Sequence, residues 1–349
     1  MKAVQIVAPD ILEMTEISSP PLRANEVRIA VAATCVCGSD LKNISNPVQA
    51  PQTPGHEFSG VIVETSDEAK SNFQINDRVT AFPMMACMKC VECQNKRYRD
   101  CEHKLSLGFQ LPGSFAEEII VDSRLVVPLT QGISFEQGAL VEHLCCGFRL
   151  SKEFRGHQIP VDSHILIIGD GPIALADIQG LKLEGYGNIT LFGKHPLRMD
   201  TARKLGASRV FDVLTIDATM RMNSLPLVDS LIVATPSDQT IDQILPLLKP
   251  QALIFPQTRI TCPKILRSLE ENDSVFGRAF AYDLEDFTEV MDLIENGKVL
   301  TELLITTHID LLELSKNFHI LSQKKSHLKT MIINHKLSEI VNRYEMERS

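Results

Sequence analysis

The chain has 349 residues, 44% of them hydrophobic and 23% charged, more than one small core requires and the size of two globular domains. A net charge of -9 and a pI near 5.6 exclude the basic face that nucleic acid or an anionic membrane surface would need. No apolar run approaches the ~18 residues of a membrane span, and residues 1–16 lack the apolar core of a signal peptide, so a cytoplasmic protein is expected.

Short apolar runs separated by turn residues fill the first part of the chain, at 2–7, 26–32, 59–65, 78–81 and 118–121, and predict the strands of a β-rich unit. A helix-like stretch follows at 138–150. From about 160 the pattern changes to strand and helix in alternation. Strands are expected at 164–168, 189–192, 230–234 and 251–255, and helices at 172–184, 196–205 and 237–248. Such alternation predicts a parallel sheet with helices on both faces. A helix at 284–296, a strand at 302–307, a helix near 311–322 and a strand at 329–333 complete the pattern, and the last strand returns to the first unit. The expected division is 1–150, 151–281 and 282–349, an α/β protein in which the first and third parts form one domain. In the tail, Ile340, Val341 and Tyr344 make an apolar stripe at helical spacing. The basic cluster of Lys324, Lys325 and Lys329 reads as a solvated helix face.

Nine cysteines in a reducing compartment read as metal ligands rather than as a disulfide framework. Cys87, Cys90, Cys93 and Cys101 have the spacing C-x2-C-x2-C-x7-C. One loop can present these four thiolates to one zinc ion, and a closed all-sulfur shell makes such a site structural. A second set is dispersed: Cys37 after an apolar strand, His56 and Glu57 about twenty residues on, and Glu142 in the helix-like stretch. Thiolate, imidazole and carboxylate together form the ligand set of a catalytic zinc with an open position. Cys35, two residues before Cys37, points to the other side of the strand and reads as packing.

These residues fall within a longer series of motifs: Cys37-Gly38-Ser39-Asp40-Leu41, Gly55-His56-Glu57, the four-cysteine loop, Asp77-Arg78-Val79, Gly113-Ser114-Phe115-Ala116-Glu117, Glu142 with Leu144, Gly169-Asp170-Gly171-Pro172-Ile173, Leu205-Gly206-Ala207 and Asn296-Gly297-Lys298. In this order, over residues 1–334, the chain resembles the zinc-containing medium-chain dehydrogenase/reductase superfamily, in its alcohol, polyol and threonine dehydrogenase branch. The resemblance implies a GroES-like catalytic domain beside a Rossmann domain, joined into dimers or tetramers. It implies that Cys37 and His56 ligate the catalytic zinc, with Glu57 and Glu142 completing the protein coordination. Asp40 would hold the zinc histidine, and Ser39 would bond the substrate hydroxyl and start the proton path. Two departures stand out. Lys42 replaces the histidine that relays protons in many relatives. His143 replaces a proline, and is either a ligand, a relay or turned elsewhere. Cys145 and Cys146 read as small core residues.

The run into Gly169-Asp170-Gly171-Pro172-Ile173-Ala174 places a glycine-rich turn after a strand and before a helix, the context a dinucleotide site requires. Gly169 permits the turn, Gly171 lets the backbone approach a pyrophosphate, and the helix N-terminus offers free N–H groups. The next strand ends at Gly193 where NAD enzymes carry an acid. With Lys194 and His195 following, this resembles the arrangement in NADP-linked relatives, and NADP(H) is expected over NAD(H); Arg198 stands nearby but occurs in NAD-linked relatives as well. The expected activity is hydride transfer between a secondary alcohol, of polyol or sugar-alcohol phosphate type, and the nucleotide, with two zinc ions per chain. Threonine-type amino-alcohol oxidation with NAD is the alternative within this class. A catalytically silent nucleotide-binding relative is the alternative outside it.

Overall fold

The computed structural model describes residues 1–215, 225–235, 238–258, 260–261, 263–277, 282–321 and 327–346. The chain divides into two compact units, Met1–Glu142 with Asp283–Ser349, and His143–Tyr282. Lys324 and Lys325, and Ser237 at the start of one expected helix, lie outside the described residues.

The second unit contains a six-stranded sheet with every pair parallel. Its order across the sheet is Arg209–Asp212, Ile189–Gly193, Ile165–Ile168, Val228–Val233, Leu248–Pro256 and Val275–Phe276. In chain order that is 3-2-1-4-5-6, the doubly wound arrangement. The four residues Ile165–Ile168 are all buried because helices cover a parallel sheet on both faces, which is why they read as a continuous apolar run. The chain leaves Ile165–Ile168 through Gly169, whose φ of +106° suits glycine and whose neighbour is Thr235, just past the end of Val228–Val233. Ligands bind at such a point, where consecutive connections leave the sheet in opposite directions.

The helix Phe135–Gly156 is longer than the expected 138–150. Its end is fixed by Phe154, which stacks on Phe255 of the sheet with ring centroids 4.6 Å apart and meets Tyr186 edge-on at 5.4 Å. All three rings are buried.

The first unit contains a seven-stranded sheet, with Ile305–Asp310, Lys329–Ile333, Glu26–Cys35, Glu57–Thr65, Arg78–Ala81 and Val126–Pro128 in sequence across it, and Glu118–Asp122 also paired to Glu26–Cys35. Most pairs are antiparallel, and Ile305–Asp310 runs parallel to Lys329–Ile333. The strand expected at 302–307 starts later, because Thr301–Leu303 forms a 3-10 turn first. Several elements escaped the sequence pattern, two of them near the start of the chain. Ile11–Glu16 pairs with Lys2–Ala8 as a hairpin, and Gly38–Ser45 is a helix of only eight residues, too short for a periodic signal. The tail forms the helix Leu337–Met346 on its own unit. Ile340 packs with Ala30 and Val63, and the Tyr344 hydroxyl donates to Glu118 at 2.8 Å.

Truncating the Phe154 ring removes the stacked partner of Phe255. The substitution Phe154→Ala is expected to cost about 3–5 kcal/mol of stability. A urea unfolding midpoint equal to that of the parent chain would contradict this packing role.

Candidate active site and metal centres

Cys37, His56 and Glu57 converge, with one candidate ligand atom from each lying within 4.8 Å of the others. The convergence has a local cause. Cys37 ends the strand-to-helix turn as N-cap of Gly38–Ser45, and Asp40 is the third residue of that helix. Its carboxylate reaches back to the Cys37 N–H at 2.8 Å, as in a capping box. The same carboxylate accepts the Gly55 N–H at 3.2 Å and faces His56 Nδ1 at 3.2 Å. A carboxylate only accepts, so the proton sits on Nδ1 and the Nε2 lone pair is left for a metal. Asp40 is fully buried. Burial alone disfavours a charged His56, yet the Asp40 carboxylate and the Cys37 sulfur raise its pKa well above the ordinary imidazole value. The site therefore stabilises positive charge at the imidazole, and the donors present suit a zinc ion.

Glu57 brings a partner that the sequence did not reveal. Lys329, read from the sequence as part of a solvated face, is instead fully buried with its ammonium paired to the Glu57 carboxylate. Burial disfavours the charged amine, but Glu57, Cys35 and Cys37 outweigh it and raise the Lys329 pKa. The placement follows from the sheet: Lys329–Ile333 pairs with the end of Glu26–Cys35, which on its other side pairs Cys35 with Glu57. Cys35 lies beneath, buried, with its thiol 3.7 Å from the Met331 sulfur and its pKa pushed up by burial. Glu142 is buried on Phe135–Gly156 but is not among the three residues that converge within 4.8 Å. Ser39 is half-buried in the first turn after Cys37, Lys42 is exposed, and His143 is buried. Phe109 tilts toward the His56 ring at 5.7 Å and supplies an apolar wall.

Cys87, Cys90, Cys93 and Cys101 form the second converging group, again within 4.8 Å. Cys90 and Cys93 sulfurs are 3.4 Å apart, and the Cys87 N–H points to the Cys101 sulfur at 3.4 Å. Met88 and Lys96 adopt left-handed backbone, φ +59° and +58°, where the loop folds back on itself. Backbone N–H groups of Lys89 and Cys90 lower the Cys87 pKa to about 6, whereas burial and the adjoining sulfurs push Cys93 up to about 12. Four sulfurs this close repel once ionised, and a cation at their centre removes the conflict. The donor set fits a closed zinc site.

In the second unit, Gly171 is the N-cap of Pro172–Leu183, with proline at the first helical position. A side chain at Gly171 would project into open space, which leaves room beside the helix N-terminus for a phosphate. Ala174 is fully buried, as expected of the position that packs helix on strand. At the end of Ile189–Gly193, Lys194 is exposed while His195 and Arg198 are buried. Asp170, which the sequence marked only as part of the turn, faces His195 Nδ1 at 2.9 Å and accepts the N–H groups of Lys194 and His195.

The β-rich unit bears a candidate metal site, and the doubly wound unit bears a glycine-rich turn. Residues 23–131 match the family "Alcohol dehydrogenase GroES-like domain". Relatives include the D-arabitol-phosphate dehydrogenase of Enterococcus avium, 28% identical over 91% of this chain and 93% of that protein. Another is the L-threonine 3-dehydrogenase of Marinomonas sp., 30% identical over 57% of this chain and 59% of that protein. Among solved structures, a short chain alcohol dehydrogenase from E. coli CFT073 complexed with NADH superposes with a TM-score of 0.83, at 22% identity, over 95% of this chain and 99% of the other. A zinc-binding dehydrogenase from Sinorhizobium meliloti 1021 bound to NADP gives 0.81, at 21% identity, over 95% and 98%. The resemblance to the zinc-containing medium-chain dehydrogenase/reductases, in the alcohol, polyol and threonine dehydrogenase branch, thus holds in sequence and in fold. The family match covers residues 23–131, and the relative matched over 91% of this chain is named as a dehydrogenase.

Removing Lys329 would leave the Glu57 charge buried without its cation. Lys329→Met is expected to lose about 3–5 kcal/mol of stability, and the double variant Glu57→Gln/Lys329→Met to regain most of it. Chemical denaturation of the three proteins checks this, and additive losses in the double variant would rule out the pairing.

Proposed function

We propose that this protein is a zinc-dependent dehydrogenase that interconverts a secondary alcohol and a ketone with a nicotinamide dinucleotide. The observation that carries the reading is the Asp40 carboxylate, which ties the Cys37 backbone and the His56 ring into one converging set. Cys37, His56 and Glu57 would hold the catalytic zinc, with Glu142 as a further carboxylate on the neighbouring helix. Cys87, Cys90, Cys93 and Cys101 would hold a structural one. When bound, the catalytic zinc supplies a Lewis acid for the alcohol or ketone oxygen, and the nicotinamide supplies or accepts the hydride. Asp40 fixes the His56 tautomer. Ser39, half-buried in the turn after Cys37, is the group proposed to pass the hydroxyl proton outward. Lys329 holds Glu57 in place by its charge, and Phe109 keeps water from one side of the imidazole.

Gly169, Gly171, Pro172 and Ile173 are proposed to receive the pyrophosphate, and the residues after Gly193 the adenosine ribose. Gly193, Lys194 and His195 support NADP(H) on sequence grounds, and Arg198 is proposed to lie beside the ribose of either nucleotide. Asp170, seated on the same backbone, supports NAD(H). For the substrate, the relative matched over 91% of this chain is named for a sugar-alcohol phosphate, which supports polyols and their phosphates. A threonine-type amino alcohol is the second reading, supported by the relative named L-threonine 3-dehydrogenase. A homodimer or homotetramer and a cytoplasmic location complete the proposal, on the family resemblance and the composition alone.

Metal analysis of the purified chain is expected to find two zinc ions. Cys37→Ala and His56→Ala should each retain one zinc and lose turnover of polyols and polyol phosphates by roughly a thousandfold or more. A parent chain with a single zinc, held by the four-cysteine loop, would identify a silent relative instead. Near-normal turnover in either variant would remove the catalytic assignment.

A further inference from the structure

The reading of the second unit as a dinucleotide site leaves one arrangement unexplained, at the end of Ile189–Gly193. In doubly wound folds this strand end carries an acid that bonds the ribose 2′-hydroxyl, and enzymes that accept a 2′-phosphate replace it with room and positive charge. Here the strand ends in glycine, but the space that the glycine frees is filled from within the protein. A Cβ on Gly193 would lie 2.9 Å from the Asp170 Cβ and Oδ2 and 2.8 Å from the Met199 Cγ. Glycine at 193 therefore makes room for Asp170.

The Asp170 carboxylate sits where an anion would bind. Its Oδ2 accepts the Lys194 N–H at 2.8 Å and the His195 N–H at 2.7 Å, the two backbone donors that open the helix Pro196–Lys204. Its Oδ1 lies 2.9 Å from His195 Nδ1, which closes the third side. Only 6% of the Asp170 side chain and 10% of that of His195 are exposed, so this is a built seat rather than a surface contact. Backbone N–H groups at a helix start are the donors with which such folds hold phosphate. In this chain an internal carboxylate has already taken them. Arg198, in the first turn of the same helix, is buried, and its pKa falls through desolvation, partly opposed by the Asp170 charge. The Arg198 guanidinium and the His195 ring thus face a negative charge supplied by the protein.

We propose that Asp170, positioned by His195, sets the nucleotide preference of this protein by occupying the phosphate seat after Gly193, so that the chain selects the dinucleotide with a free 2′-hydroxyl. A 2′-phosphate would meet a fixed like charge and find its two backbone donors used. Like charges brought together without compensation discriminate strongly between otherwise identical partners. The inference rests on the dinucleotide reading of the second unit, and it reverses the preference that Gly193 and its basic neighbours suggest from sequence.

Fluorescence titration of the full chain with NADH and NADPH, for the parent, Asp170→Ala and Asp170→Asn, tests it. The parent is expected to bind NADH at least about tenfold more tightly than NADPH, and both variants to narrow or invert that ratio by a similar factor, mainly through a gain in NADPH binding. Equal or tighter NADPH binding by the parent overturns the inference while leaving the dinucleotide reading intact. Variants that lose both nucleotides in equal proportion also overturn it, because that is the signature of a merely structural carboxylate. A parent that binds neither nucleotide removes the dinucleotide reading and the inference together. Should Asp170→Ala fail to fold, the near-isosteric Asp170→Asn and the parent ratio still decide the matter.

Discussion

The buried carboxylate of Asp40 is where two distant stretches of chain become one site. It accepts N–H groups from Cys37 and Gly55 and faces the His56 ring, so a single charge fixes the start of a short helix, the turn before a strand and the orientation of a candidate metal-ligating imidazole. A charge taken out of water is costly unless its lone pairs are satisfied, and three donors around Asp40 meet that demand. The donors are held in turn by regular structure. The Cys37 N–H belongs to the cap of Gly38–Ser45, and His56 directly precedes the strand Glu57–Thr65. Displacing the carboxylate would free both candidate ligands at once.

The sheet of the first unit supplies a buried cation to the neighbouring Glu57. Lys329 comes from near the C-terminal end of the chain, yet the pairing of Lys329–Ile333 with Glu26–Cys35 sets its ammonium against Glu57. The first unit is therefore incomplete without residues from both ends of the sequence, which is why the chain leaves it after Glu142 and re-enters at Asp283. The buried pair gives the site an alternation of charge: Asp40 beside His56, and Glu57 beside Lys329. A metal cation entering between Cys37, His56 and Glu57 would join an environment whose negative groups are already held in place, at little reorganisation cost.

The second unit repeats the device with Asp170. Again a carboxylate in the first turn after a strand accepts backbone N–H groups from a second segment and orients a histidine. In the first unit the oriented histidine is a candidate ligand. In the second the carboxylate itself occupies the position of interest, and the histidine secures it. Both turns depend on donors that only a folded loop can bring together, and both couple loop geometry to ligand chemistry.

How much of this was legible in the sequence depended on distance along the chain. The four-cysteine loop was readable because its cysteines lie within fifteen residues and their spacing is a local geometric fact. The strands and helices of the second unit were readable because burial on both sheet faces writes continuous apolar runs, and the glycine-rich turn because a left-handed φ at Gly169 restricts the residue type. The eight-residue helix after Cys37 was not, since two turns carry too little periodicity. Lys329 read as a surface lysine, because composition cannot show that a carboxylate 272 positions earlier awaits it across a sheet. Likewise Gly193 read as space for a phosphate, because which group fills a vacated position depends on side-chain packing between segments 23 residues apart. The sequence by itself determined most element types, the four-cysteine cluster and the glycine-rich turn, all written in local spacing and residue chemistry. Tertiary structure alone decided which charges are paired and which anion seats are already taken, since those depend on contacts between parts of the chain that only folding brings together.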